Sequence, residues 1–322
     1  MLFIVKVGFT PCEITKKLYG SVMMERIISR PDFDGVVCAV LLREALNKEL
    51  PVLWAQPNEI QNGQTRVKPG DIVANLPLCG QCALWFDHHV SNAINHPFNG
   101  LYRIAPSAAG LVYEYFHEKL APRFEALVIQ TDKIDSAQLS LDEILHPEGY
   151  PYILVSMTIP SEPSQVRSFC DHLVKLLRCG TIEQVLEDPA VKKRSQQVVV
   201  ENKAYEAHLR SHTRVKGQVS ITDFRDLEKP PNGNRFLVYS LFPETVVNLK
   251  IFSENRQTAI KIGHSIINRD CHVNVGCLLA KYGGGGHRGA GACRLDSDNA
   301  DGIISEILDI LIENRPSRSD RC

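Results

Sequence analysis

The residues best equipped for chemistry are Asp87, His88 and His89, consecutive at the end of the apolar run Ala83-Leu84-Trp85-Phe86. A carboxylate and two imidazoles delivered together offer oxygen and nitrogen donors to one point. That donor set suits a hard or borderline divalent ion such as Mn²⁺ or Mg²⁺. An ordinary polar turn would use the same residues, so two further stretches decide the matter. Asp32 and Asp34 flank one residue in Arg30-Pro31-Asp32-Phe33-Asp34-Gly35, at a strand-to-helix turn. One aspartate there would cap the helix; the second is surplus to capping and can face the same sheet edge. The other stretch is Gly283-Gly284-Gly285-Gly286-His287-Arg288. Each glycine costs roughly 0.5–1 kcal/mol relative to alanine in regular structure. The run therefore predicts a loop whose backbone N–H groups approach an anion, with His287 and Arg288 adding side-chain donors.

A chain of 322 residues exceeds a comfortable single core and predicts two domains. Short apolar strands at 26–29, 52–55, 71–75 and 84–86 are interleaved or followed by helical patterns at 36–48, 107–120 and 123–134. That alternation predicts an α/β fold with a parallel, doubly wound sheet whose ligands gather at the carboxyl ends of the strands. Helical patterns continue at 164–178 and 181–187. Residues 189–212 read as a long polar connecting helix, the basic start Lys192-Lys193-Arg194 being a solvated face. Beyond it the grammar becomes hairpin-like, with strands expected at 215–222, 235–241, 246–252 and 258–262. A helix over 273–282 and a strand over 290–295 frame the glycine run. The expected organisation is thus an extension at 1–23, a first domain at 24–188, a linker helix at 189–212, and a smaller mixed-sheet α/β domain at 213–322. The extension reads as dispensable or as a mis-assigned start, since the first strand follows directly on Met23-Met24.

A formal net charge of −1 excludes general attraction to nucleic acid or anionic membrane, so any polyanion site must be local. No apolar run approaches the roughly 20 residues that span a bilayer, and Leu2-Phe3-Ile4-Val5 is too short for a secretory leader. Ten cysteines without such a leader predict mostly reduced thiols and a cytoplasmic protein. Cys79-Gly80-Gln81-Cys82 has no second pair to complete a zinc site. Cys38, Cys170 and Cys277 fall on apolar helical patterns and read as core.

Three stretches in order, SRPDFDG, WFDHHVSN and YGGGGHRGAGACRL, resemble the DHH phosphoesterase superfamily with its DHH-associated C-terminal domain. The similarity extends from about Met24 to the final helix and is nearest the bacterial exopolyphosphatase-like and oligoribonuclease-like group. It implies two lobes joined by a helix, with a cleft between them. It also implies two Mn²⁺ ions in the first lobe, a phosphate-holding glycine-histidine segment in the second, and metal-assisted in-line attack on phosphorus. Carried over position by position, Asp32, Asp34, Asp87, His88 and His89 match the catalytic group. His88 is the ligand of the signature and His89 faces phosphate. Asp132 matches the fourth-motif carboxylate, with Asp135 as the alternative. Gly284, Gly285, Gly286, His287 and Arg288 match the substrate segment, and a homodimer is common among relatives.

Two departures modify that expectation. Arg30 stands where such relatives usually have a histidine, and Asn75 where they have a bridging aspartate. A guanidinium about 4 Å from a dication at an effective dielectric of 20 is repelled by roughly 8 kcal/mol, so Arg30 and a first ion should not share a pocket. The expectation is one Mn²⁺ (or Mg²⁺) rather than two, held by Asp34, His88 and Asp132 with Asp32 and Asp87 orienting. Arg30, His89, Gly284–Gly286, His287 and Arg288 would clamp a phosphate-containing small molecule or short oligonucleotide. The function so implied is a metal-dependent phosphoesterase; the alternative is a degenerate, non-catalytic nucleotide- or polyphosphate-binding protein.

Overall fold

The computed structural model describes residues 23–160, 162–254 and 256–316; the expected extension, Met23 apart, lies outside them. The described chain forms two units. One runs through Ala137 and resumes at Pro151–Val191; the other combines Gln138–Tyr150 with residues from Lys192 onward.

In the first unit, β1 (Arg26–Ser29), β2 (Val52–Trp54), β3 (Asp71–Ala74), β4 (Leu84–Asp87) and β5 (Gly100–Tyr102) form a wholly parallel sheet. The order is β2-β1-β3-β4-β5. Buried strands must be apolar on both faces, and these alternate accordingly. Ile27, Ile72 and Phe86 join the main core beneath α1 (Phe33–Leu46), α2 (Ala108–Tyr115), α3 (Glu125–Asp135) and α4 (Pro163–Cys179), while Ile28, Val73 and Trp85 join a smaller cluster. In this order the chain reverses direction of winding between β1 and β3, and ligands of open α/β sheets bind at such a switch point. The segments leaving β1 and β3 carry Arg30–Asp34 and Asn75; β4 ends on Asp87.

The second unit contains most of the connecting helix α5 (Pro189–His212) and a six-stranded mixed sheet. Its strands are β6 (Thr213–Lys216), β7 (Val219–Asp223), β8 (Val247–Glu254), β9 (Gln257–His264), β10 (Gly285–His287) and β11 (Ala290–Asp296). Their order is β10-β11-β9-β8-β7-β6, with only the β7–β8 pair parallel. Helices α6 (Val275–Ala280) and α7 (Ala300–Glu313) complete the core.

Two strand expectations are corrected here. The stretch 215–222 is two strands, because Gly217 at φ 61 turns β6 back onto β7. The stretch 235–241 is not a strand; Leu237–Leu241 is a helical turn that buries Leu237, Val238 and Tyr239. Its apolar run is too short for periodicity to separate strand from helix. Cys38 and Cys170 are buried free thiols as expected, whereas Cys277 is half-buried and disulfide-bonded.

Candidate metal centre

Asp34 begins from the sharp turn after β1. Gly35 is required there, because a Cβ would lie 1.9 Å from the Arg30 carbonyl oxygen. The resulting first turn of α1 places Asp34 inside the protein, 2% exposed, beneath the amino terminus of α2. Backbone N–H groups of Ala108 and Ala109 donate to its two oxygens at 3.0 and 2.8 Å. Unpaired N–H groups and the helix dipole at that terminus favour the anion. Even so, burial holds the Asp34 carboxyl well above the usual range, and the charges of Asp135 and Asp32 push it further.

His88 follows β4. Its Nδ1 lies 3.0 Å from the Ala105 carbonyl oxygen, which makes Nδ1 the protonated nitrogen and leaves the Nε2 lone pair free. Nε2 is buried without a hydrogen-bond partner, although Asp135 Oδ2 is 3.3 Å away and Asp34 Oδ2 is 3.8 Å away. The directions are wrong for hydrogen bonding, but one ligand atom from each residue lies within 4.8 Å of the other two. A bare imidazole nitrogen beside two carboxylates is the donor set of a divalent ion, and the Ala105 contact is the outer support such a ligand needs. The residues present fit the ion.

Asp87, His88 and His89 also form a compact group, but Asp87 spends its oxygens within the protein. Oδ1 accepts from His88 N–H at 2.9 Å and pairs with His89 Nδ1 at 2.7 Å, and Oδ2 accepts from Asn92 Nδ2 at 2.6 Å. Asp87 thus holds the His88 backbone and the His89 ring. Burial alone would lower the pKa of His89; the hydrogen bond its Nδ1 donates to Asp87 and the charges of Asp87 and Asp135 outweigh it and raise it. The Tyr102 hydroxyl, on a ring stacked against Trp85, donates to the His89 carbonyl and steadies the turn.

Asp132, the expected ligand, stands apart. It accepts from the Ser107 hydroxyl at 2.5 Å, and that hydroxyl in turn caps α2 through Gly110 N–H. Asp135, three residues further along α3 and so nearly the same face, is the carboxylate that joins Asp34 and His88. Asp32 is likewise surrounded by donors: Gly35 N–H and Asn75 Nδ2 at 2.9 Å each, and Arg30 Nε at 3.0 Å. The site roles of Ser107, Asn92, the Ala105 carbonyl and the N–H pair of Ala108 and Ala109 were not expected from the sequence. The small residues of Ser107-Ala108-Ala109-Gly110 were the available signal, since they let backbone approach a buried carboxylate.

In the second unit the glycine run is not an open loop. Gly285–His287 is β10, paired antiparallel with β11 through a turn at Arg288-Gly289. A Cβ on Gly284 would meet the Ala292 carbonyl at 2.4 Å, and one on Gly286, at φ 152, the Ala290 carbonyl at 2.2 Å. Close packing inside the unit therefore accounts for two of the glycines, whereas Gly285 has open space. His287 and Arg288 are exposed near the hairpin tip. Among the described residues no helix is long and apolar enough to cross a membrane.

No family model matches the chain, and no curated protein matches it. Solved structures do. A pGpG-specific phosphodiesterase, PggH from Vibrio cholerae, is similar with a TM-score of 0.78 and 26% identity over 90% of this chain and 100% of that one. An exopolyphosphatase-related protein from Bacteroides fragilis gives a TM-score of 0.58 at 11% identity, over 96% of this chain and 98% of that one. RecJ in complex with Mn²⁺ from Thermus thermophilus gives 0.56 at 12% identity, over 95% of this chain and 55% of that one. The last two likenesses concern the fold alone.

Proposed function

Because the chain belongs to the DHH phosphoesterase superfamily, we propose that it is a divalent-metal-dependent hydrolase of a short phosphodiester, the bond class named for the Vibrio cholerae structure. The observation that carries this reading is His88 Nε2, buried and unpartnered beside Asp34 and Asp135. One Mn²⁺ or Mg²⁺ would be held by Asp34, His88 and Asp135, and when bound would supply Lewis-acid polarisation and a more acidic water. The chain's own groups do the rest. Ala105, Ala108 and Ala109 fix the ligands; Asp87 holds the His89 ring, leaving its Nε2 side to meet a phosphoryl oxygen or leaving group. His287 and Arg288 are the phosphate donors proposed for the second unit.

Turnover of pGpG by the full chain with Mn²⁺, abolished by chelation and by His88→Ala, is the expected result. A binding-only protein is the second reading, favoured by the saturation of Asp32 with internal donors. It requires pGpG to bind without being hydrolysed under any divalent ion, and that outcome would replace the enzymatic reading.

A further inference from the structure

Asp32 lies close enough for its charge to act on both Asp34 and Asp135, yet it has little left to give an ion. Oδ1 accepts from Gly35 N–H and Asn75 Nδ2, each at 2.9 Å, and Oδ2 is 3.0 Å from Arg30 Nε. The three donors come from the first turn of α1, the end of β3 and the end of β1, so the arrangement is built by the fold rather than by one flexible loop. Arg30 spends Nε on this pair. Its terminal nitrogens make no hydrogen bond among the described residues, and its side chain is 39% exposed. Its positive charge acts on His89 and Asp135, which sets it beside the candidate centre. Asn75, 1% exposed and at φ 57, keeps its Oδ1 buried and unpartnered.

We infer that Arg30, braced by Asp32 and Asn75, is a phosphate-binding fork standing where a second cation would otherwise bind, so that the centre works with one ion and one guanidinium. The inference rests on the proposed function and deepens it. A guanidinium held through Nε presents two terminal amino groups in a plane, the geometry that matches two non-bridging phosphoryl oxygens. It neutralises phosphate charge but cannot acidify a water, which leaves that task to the ion at Asp34, His88 and Asp135. An ammonium at the same position would keep the charge and lose the fork. Hydrogen bonds to charged groups contribute enough for that loss to weaken phosphate binding about tenfold or more.

The test uses the full chain loaded with MnCl₂, metal content by elemental analysis, and titration calorimetry with inorganic phosphate as the probe. The expected results are one Mn²⁺ per chain in the parent and in Arg30→Lys, with phosphate binding at least tenfold weaker in Arg30→Lys. Arg30→His combined with Asn75→Asp should hold two Mn²⁺. Circular dichroism confirms that each variant is folded. Two ions in the parent, unchanged phosphate affinity in Arg30→Lys, or no second ion in the double variant would each overturn the inference. No ion in any variant would overturn the metal-centre reading and with it the pairing of one ion with one guanidinium, whatever Arg30→Lys does to phosphate binding.

Discussion

Replacing Asp135 by asparagine should make the metal-free protein more stable and the metal-loaded protein less so. Without an ion, Asp34 and Asp135 bring ligand oxygens within 4.8 Å of one another. Two like charges at that distance repel by about 3 kcal/mol at an effective dielectric of 20. The Asp135 side chain is 31% exposed, so solvent screening reduces the relief to about 1–2 kcal/mol. With Mn²⁺ at 1,000 times its dissociation constant the parent gains about 4 kcal/mol by mass action. If losing one ligand weakens binding about 100-fold, the variant gains only about 1.4 kcal/mol at the same concentration. The order of melting temperatures therefore reverses when Mn²⁺ is added.

Both tryptophans of the chain, Trp54 and Trp85, are buried in the first unit. Tryptophan fluorescence then follows the unit that carries the centre. Asp132→Asn is the control: its side-chain carbonyl can still accept from Ser107, and its response to Mn²⁺ should equal the parent's. Should Asp132→Asn lose the Mn²⁺-induced rise while Asp135→Asn retains it, the assignment of Asp135 over Asp132 is wrong.

Two expectations concern the second unit. Lys250 is half-buried against Tyr205, and burial first, then the charge of Lys261, brings its pKa down to about 8, against about 10.4 in an unfolded chain. Below pH 8 both states hold the proton; between the two values only the unfolded state does, so stability should rise by about 2 kcal/mol from pH 7 to pH 9.5. Denaturant titrations should show this slope in the parent and lose it in Lys250→Met; a parent slope that survives in the variant would assign it to another group. Gly284→Ala must displace the Ala292 carbonyl and Cys293 Cβ, both 2.4 Å from the new methyl carbon, and should cost about 1–3 kcal/mol. Gly285→Ala meets open space and should cost under about 1 kcal/mol; hydrogen exchange of β10 and β11 distinguishes them, and equal protection would refute the packing account.

Four strands of the parallel sheet were legible because each is a short apolar run and a helical pattern separates the first two, whereas Gly100–Tyr102 is too short to announce itself. Asp34 and His88 were legible because adjacent carboxylates and imidazoles at strand ends are rare without a use. The choice between Asp132 and Asp135 was not, since three positions apart on a helix is nearly one face and only packing shows which carboxylate Ser107 occupies. The local form of the glycine run was not legible for a related reason. Glycine reports close backbone approach without saying to what, and at Gly284 and Gly286 the near neighbour is β11. The helical turn at Leu237–Leu241 was misread because the four apolar residues Phe236–Tyr239 are too few to carry a period.

Charge arithmetic ties the departures at Arg30 and Asn75 to the number of ions. Asp32, Asp34, Asp87 and Asp135 bring four carboxylates into mutual influence around His88 and His89. Four charges of one sign in a largely desolvated site must be compensated. Arg30 offsets one of them and a divalent ion two; His89, its pKa raised beside Asp87, offsets the fourth when protonated. That balance is complete with a single ion. A second dication would leave an excess of two positive charges unless Arg30 departed and another carboxylate arrived. Position 75 already faces Asp32 from the end of β3, and it carries an amide. Arg30 and Asn75 therefore act on Asp32 together, and replacing either alone should change ion binding less than replacing both.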